Sequence, residues 1–150
     1  MVHIFVDADS CPVKNEIYKV ATRCGCKVTL VANSWMRVPD DITIHLEVVC
    51  DDFDAADDFI EEKVQANDIV ITSDILLADR CLKKDAKVIG ATGKSFTPDN
   101  IADAVATRSL MADLRESGDL LGGPPPFQKN DRSRFLQELN EVIEYIKRNN

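Results

Sequence analysis

The chain has 150 residues, 45% of them hydrophobic and 29% charged, with a formal net charge of −8. That length suits one domain with a real core, and the charge argues against a protein that coats nucleic acid without specificity, which would be basic. No apolar span of about 20 residues occurs, so no transmembrane helix is expected, and the short N-terminal apolar run lacks the basic flank of a signal peptide. The expectation is a soluble cytoplasmic protein.

In chain order, residues 2–6 (VHIFV) read as a strand buried on both faces, as in a parallel sheet. A helix is expected from about Cys11-Pro12, because proline suits the first helical position. Its apolar stripe is Val13, Ile17, Val20, Ala21 and Cys24, and Gly25 ends it. Residues 27–33 read as a second strand. Residues 34–41 are loop, with Pro39 as punctuation, and residues 42–49 alternate as a third strand.

A helix over residues 54–67 follows, then a strand over 68–74, a helix over 75–85 and a fifth strand over 86–91. Thr97-Pro98-Asp99 signals a helix that runs to about residue 117. Residues 118–130 form a Gly/Pro-rich loop that is neither helix nor central strand. A last helix over 131–148 is expected to be capped by Asp131, with Phe135, Leu139, Val142 or Ile143, and Ile146 facing inward. Strands alternating with helices predict a three-layer αβα domain around a five-stranded parallel sheet.

The five cysteines, Cys11, Cys24, Cys26, Cys50 and Cys81, form no disulfide framework. Cys24-Gly25-Cys26 alone is a weak zinc signal, so reduced and mostly buried thiols are expected. Cys11 stands at a helix start, but nearby carboxylates would cancel the stabilisation of a thiolate there.

The acidic residues carry the functional signal. Open parallel sheets bind ligands at the carboxyl ends of their strands, near the point where strand order reverses. With the order 3-2-1-4-5, strands one and four are neighbours at that reversal. Asp7 follows the first and Asp74 the second, so both face one crevice. The helix after strand three starts at the same edge. Its inner stripe is Ala56, Ile60 and Val64; Asp57 lies beside that stripe and points inward, Asp58 points outward, and Asp54 is the N-cap.

Asp79 shares the inner stripe of the next helix with Ile75 and Leu82, one turn deeper than Asp74. Asp9 would cap the first helix or join the cluster. Each acid taken singly is explained by capping. Together they repel: two carboxylates about 5 Å apart cost roughly 3 kcal/mol at an effective dielectric of 20. A hard divalent cation, Mg²⁺ or Mn²⁺, offsets that charge with all-oxygen ligands. His3 and His45 lie inside strands and are read as structural. The candidate metal ligands are therefore Asp7, Asp9, Asp57, Asp74 and Asp79, and such a site suits phosphoryl chemistry.

The segments VDADSCPV, VAN, DAADDFI, IVITSDILLA, LRESGDLLGGPPPF and DRSRF, spread from residue 6 to 135, resemble the YaiI/YqxD family of small bacterial proteins, which has no settled activity. That family in turn is similar to PIN-domain nucleases. The resemblance implies a PIN-like fold with a C-terminal helical extension. It also implies cleavage of single-stranded or structured RNA with Mg²⁺ or Mn²⁺, with catalytic acids at Asp7, Asp57 and Asp74 and a possible fourth at Asp79. Asp9 is extra to the simplest PIN pattern, and the helix acid of PIN domains is usually Glu where this chain has Asp57. Asn33, in the second of these segments, is a candidate substrate contact.

Lys94, Ser95 and Thr97 follow strand five at the same sheet edge and would bind a phosphate at a helix start. The Gly-x-x-x-x-Gly-Lys spacing fails, because Val88 stands where its first glycine belongs. Arg108, Arg115, Arg132 and Arg134 would contact an RNA backbone, or form a solvated helix face. The Gly-Gly-Pro-Pro-Pro-Phe loop would cover the crevice as a lid or simply join two helices. Two other functions compete. One is a phosphatase of the haloacid dehalogenase type, with the DxD at Asp7 and Asp9 as nucleophile and general acid and Ser34 as phosphate-binding hydroxyl; no lysine falls convincingly between. The other is a non-catalytic protein that binds metal and RNA.

Overall fold

The structure is a computed structural model that describes residues 1–52, 54–117 and 127–149, with the backbone alone for Ser10 and residues 115–117. Among the described residues there are six strands and five α-helices. The strands are β1 (His3–Asp7), β2 (Lys27–Ala32), β3 (Ile44–Val48), β4 (Ile69–Ile71), β5 (Lys87–Ile89) and β6 (Ser95–Phe96). The helices are α1 (Lys14–Cys24), α2 (Ala55–Lys63), α3 (Ile75–Leu82), α4 (Pro98–Ser117) and α5 (Lys129–Arg148).

One sheet runs in the order β3-β2-β1-β4-β5-β6. The first five strands pair in parallel, as their continuous apolar runs require, and in the predicted order. The sheet is not five-stranded and all parallel, however: β6 pairs antiparallel with β5 at the edge. A tight turn makes that hairpin, with Gly93 N–H donating to the Gly90 carbonyl and Gly90 N–H to the Lys94 carbonyl.

The alternation of side chains along the strands separates two cores. On one face Ile4, Val6, Val28, Leu30, Ile69, Ile71 and Ile89 pack against Ile17, Val20 and Ala21 of α1 and Phe135, Leu139, Ile143 and Ile146 of α5. The inner face of α5 is the predicted one, with Ile143 rather than Val142 fully buried. On the other face Phe5, Val31, Val70 and Val88 meet Ile60 of α2, Val64 at its end, Leu77, Ala78 and Cys81 of α3, and Ile101 of α4.

Several local readings are corrected. α1 does not start at Pro12: Ala8–Ser10 forms a 3-10 turn and the helix begins at Lys14, with Val13 at the N-cap. Gly25 does end it, in the left-handed region. Asp54 occupies the N-cap position of α2, but its side chain makes no capping bond. α5 is capped by Gln128, and Asp131 sits at the third helical position, its carboxylate accepting from the Gln128 N–H in a capping box. The fully buried stripe of α3 is Leu77, Ala78 and Cys81, and the line through Ile75, Asp79 and Leu82 lies half-buried at its margin, with Ile75 and Leu82 packed against that core.

All five cysteines are free thiols, with Cys11, Cys26 and Cys81 buried, Cys24 half-buried and Cys50 exposed. Among the described residues no helix is long and apolar enough to cross a membrane. The expected Gly/Pro loop and its role as a lid fall on residues 118–126, which lie outside the described residues.

Gly93 is where the edge hairpin meets α5. It adopts φ +90°, and a Cβ there would stand 2.6 Å from the backbone carbon of Arg134. Gly93→Ala should therefore cost about 2–3 kcal/mol, from the unfavourable φ and from a clash with backbone that cannot rotate away. Urea denaturation measures this; a variant as stable as the parent would show that the contact is not tight.

Candidate metal and phosphate site

Asp7 closes β1, so its position follows from a strand buried on both faces that must end at the sheet edge. Its Oδ2 accepts a hydrogen bond from Thr72 Oγ1 at 3.0 Å, and the same hydroxyl accepts from the Asp74 N–H at 3.0 Å. Thr72 thus joins the ends of β1 and β4 across the strand-order reversal. Burial, with Asp74 and Asp9 nearby, pushes the Asp7 carboxyl above its usual range, although the Thr72 bond works the other way.

Asp74 is the N-cap of α3. Its Oδ1 accepts from the N–H groups of Leu76 at 2.9 Å and Leu77 at 3.4 Å. The capping explanation is therefore real for this residue, and its carboxylate is fixed in place by it. Asp57, in the first turn of α2, is half-buried. Burial and then the charges of Asp74 and Asp7 push it up to about 6, against a smaller opposing effect of Arg80. Asp58 points outward, as expected, and pairs with Arg80 at 2.7 Å. Arg80 also pairs with Glu61, so one guanidinium clasps α2 to α3.

The other two candidate ligands are occupied differently. Asp9 Oδ2 accepts from the Asn33 N–H at 2.9 Å, and does not cap α1. Asp79 pairs with Lys83 at 3.3 Å, one turn along its own helix. Asp74 acts on both Asp7 and Asp57, and Asp7 acts on Asp57, while Asp9 acts on Asp7 alone of these three. The oxygens of Asp7, Asp57 and Asp74 suit a hard divalent ion in kind. In arrangement they are not a closed cage: among the described residues no group of three or more His, Cys, Asp or Glu side chains is placed to hold an ion together. They fit an ion held by one or two carboxylates and completed by water and phosphate, the coordination Mg²⁺ accepts.

Of the candidate substrate contacts, Lys94 and Arg108 line one cleft of about 690 Å³, bounded by the ends of β4 and β5 and by α4. The others are engaged elsewhere. Ser95 Oγ donates to Glu138 at 2.6 Å, and Thr97 Oγ1 accepts from the Asn100 N–H in capping α4. Asn33 Nδ2 donates to Asp51 at 3.2 Å. Arg132 donates to the Pro12 carbonyl at 2.8 Å and to Glu16 at 3.1 Å, and stacks on Phe127. Arg134 pairs with Asp131 at 3.2 Å, and the Arg115 side chain lies outside the described residues.

Neither histidine reaches the acids. His3 bonds Thr29 at 2.7 Å, and burial, then Lys27, lowers it to about 4. His45 pairs with Glu47 at 3.0 Å. Burial also raises the Cys11 thiol, which leaves it a poor nucleophile.

Thr72, Ser73 and Lys14 are the site residues that sequence reasoning passes over. Lys14 Nζ donates to the Ala8 and Cys11 carbonyls and braces the turn behind Asp7. The one available signal was Thr72 two residues before a capping Asp, in IVITSD. Trp35, 76% exposed in the loop after β2, also stands at the carboxyl edge.

The crowding has a measurable signature. Asp57 keeps its proton in the folded chain up to about pH 6, against an ordinary value of 3.8. Between those values the folded state binds a proton that the unfolded state has released, so stability falls as pH rises through this window. The loss is about 1 kcal/mol once solvent screening of a half-exposed group is counted. In chelator, Asp57→Asn should flatten the fall, with a residual slope from Asp7, and should exceed the parent in stability at neutral pH. Urea titrations at a series of pH values decide it; an unchanged slope in the variant would remove Asp57 from the cluster.

The profile of the family described as "Uncharacterized BCR, YaiI/YqxD family" matches residues 5–145. A UPF0178 protein of Sphingopyxis alaskensis is 57% identical over 97% of this chain and 95% of its own. The corresponding proteins of Paramagnetospirillum magneticum and Nitrobacter winogradskyi are 51% and 50% identical, over 99% and 98% of this chain and 98% and 94% of theirs. No solved structure matches. With nearly its whole length matched both by the family profile and by these relatives, the chain belongs to the YaiI/YqxD family.

Proposed function

We propose that the chain is a cytoplasmic, Mg²⁺- or Mn²⁺-dependent phosphodiester hydrolase acting on RNA. The observation that carries this reading is the convergence of Asp7, Asp57 and Asp74 at the strand-order reversal, near enough that both neighbours raise the Asp57 carboxyl. Perturbed carboxylates beside a cleft are a common mark of a reaction centre. The strand order, and acids after strands one and four and in the helix after strand three, are similar to those of PIN-domain nucleases.

In this reading Asp7 and Asp74 hold the cation, and Asp57 completes the acidic wall. The bound ion supplies positive charge where phosphoryl transfer develops negative charge. Thr72 orients Asp7 through its hydroxyl, and the Leu76 and Leu77 N–H groups fix Asp74. Lys94 and Arg108 position the phosphate backbone from the neighbouring cleft. A phosphatase using Asp9 as general acid is less well supported, since that carboxylate is tied to the Asn33 N–H.

Purified protein should cleave single-stranded RNA with Mn²⁺ or Mg²⁺ and not in EDTA. Asp7→Asn and Asp74→Asn should each lower the rate on the order of 100-fold or more. Asparagine is itself a good N-cap, so the Asp74 variant keeps α3 intact. The same cations should raise the melting temperature of the parent and not of Asp7→Asn. Trp35 is the sole tryptophan, and quenching of its fluorescence reports RNA binding directly. Quenching without product identifies a binding protein and ends the hydrolase reading, as do acid variants that cut as well as the parent.

A further inference from the structure

The cleft beside Asp74 has a lining that the acidic site does not account for. Asp74 lies between Ser73 and Ile75, and both line the cleft. Ser73 and Ala91 also line the narrow crevice that contains Asp7, so the two spaces share a wall. The floor is the β5–β6 turn, which carries Lys94, and the far wall is α4, which carries Arg108.

The chemistry of the lining selects a ligand. Lys94 and Arg108 are exposed, and among the described residues neither takes part in an ion pair. Two such cations in one concavity call for an anion, and Arg suits phosphate in particular. Phosphate alone does not explain the rest. Ile75 of α3, the largely buried Phe96 of β6, with Lys94 Nζ 5.8 Å from its ring centroid, and Met111 of α4 make the apolar part of the lining, and Asp103 would repel a bare anion while accepting from a hydroxyl or amino group. A ligand with one phosphate, a flat apolar body and hydrogen-bond donors satisfies all three. The volume, about 690 Å³, holds one such unit and excludes a duplex.

We infer that this cleft is a nucleotide-binding subsite, with the phosphate on Lys94 and Arg108 and the base against Ile75, Phe96 and Met111. The phosphodiester leaving it then runs toward Asp74. Its purpose rests on the hydrolase reading, since it seats the nucleotide next to the scissile bond, but its binding needs no cation.

Calorimetric titration in EDTA tests it with AMP, UMP, adenosine and inorganic phosphate as probes. Both mononucleotides should bind saturably, and more tightly than either adenosine or phosphate, with affinity falling as salt rises. Lys94→Ala and Arg108→Ala should each weaken AMP about tenfold, and Arg108→Lys should recover part of the loss. Asp74→Asn should bind AMP at least as well as the parent. Melting curves confirm that these surface variants are folded. No saturable nucleotide binding, affinity untouched by both alanine variants, or phosphate binding as tightly as AMP would each overturn the subsite. RNA that stays uncut while AMP binding is intact would instead defeat only the hydrolase reading.

Discussion

Like charges forced together at one end of a buried sheet are the constraint around which this molecule is arranged. Parallel strands deliver all their carboxyl ends to one edge, and the order reversal between β1 and β4 leaves a crevice there. Asp7, Asp74 and Asp57 reach it from three different elements. The chain offsets the first two locally: Thr72 donates to Asp7, and the first turn of α3 donates to Asp74. What it leaves least compensated is Asp57, raised by burial and by both neighbours. Arg80, the cation that acts on it, is bound to Asp58 and Glu61. A fold that needed only stability would place a neutral residue at position 57. Retaining a carboxylate there makes sense if positive charge arrives from outside.

The positive side chains are sorted in a matching way. Arg132 and Arg80 bind elements of the fold together, and Lys14 closes a turn. Lys94 and Arg108 do none of this, and they sit in a cleft one residue away from Asp74. With a net charge of −8 the molecule as a whole repels a polyanion. The proposed RNA binding would therefore be local, from a few cations at short range and from apolar contact, and would weaken with salt.

Much of this was legible in the sequence because it depends on periodicity and topology. Strands buried on both faces write continuous apolar runs, and the faces of α1 and α5 follow from 3.6-residue spacing. The order reversal then locates Asp7 and Asp74 without any long-range information. Features set by distant partners were not legible. β6 is two residues long, and it exists because a turn at Gly93 fits against Arg134 of α5. Arg132 looks like a free surface cation until α5 lies on α1 and brings it to Glu16. α3 is short and apolar on several sides, so its spacing suggested a stripe through Ile75, Asp79 and Leu82, while full burial falls on Leu77, Ala78 and Cys81. Helix starts misled in the same manner: Cys11-Pro12 and Asp131 carry good start chemistry, but α1 begins only at Lys14, with Val13 at its N-cap, and Gln128 caps α5.

The clasp made by Arg80 explains how a helix carrying Asp57 stays against an edge that repels it. Left alone, α2 would relieve the repulsion by moving outward, since its own buried anchors, Ile60 and Val64, lie toward its far end. Arg80 reaches from α3 to Asp58 and Glu61, both within about one turn of Asp57 on α2. The attraction of these pairs opposes the repulsion felt by Asp57 and ties α2 to the helix that Asp74 caps. Because the same short helix carries both Asp74 at its start and Arg80 in its last turn, any shift of α3 moves the cap and the clasp together. Asp57 and Asp74 are thus related through a side-chain clasp between two helices rather than through loop conformation alone, and such support favours a reproducible spacing of two carboxylates.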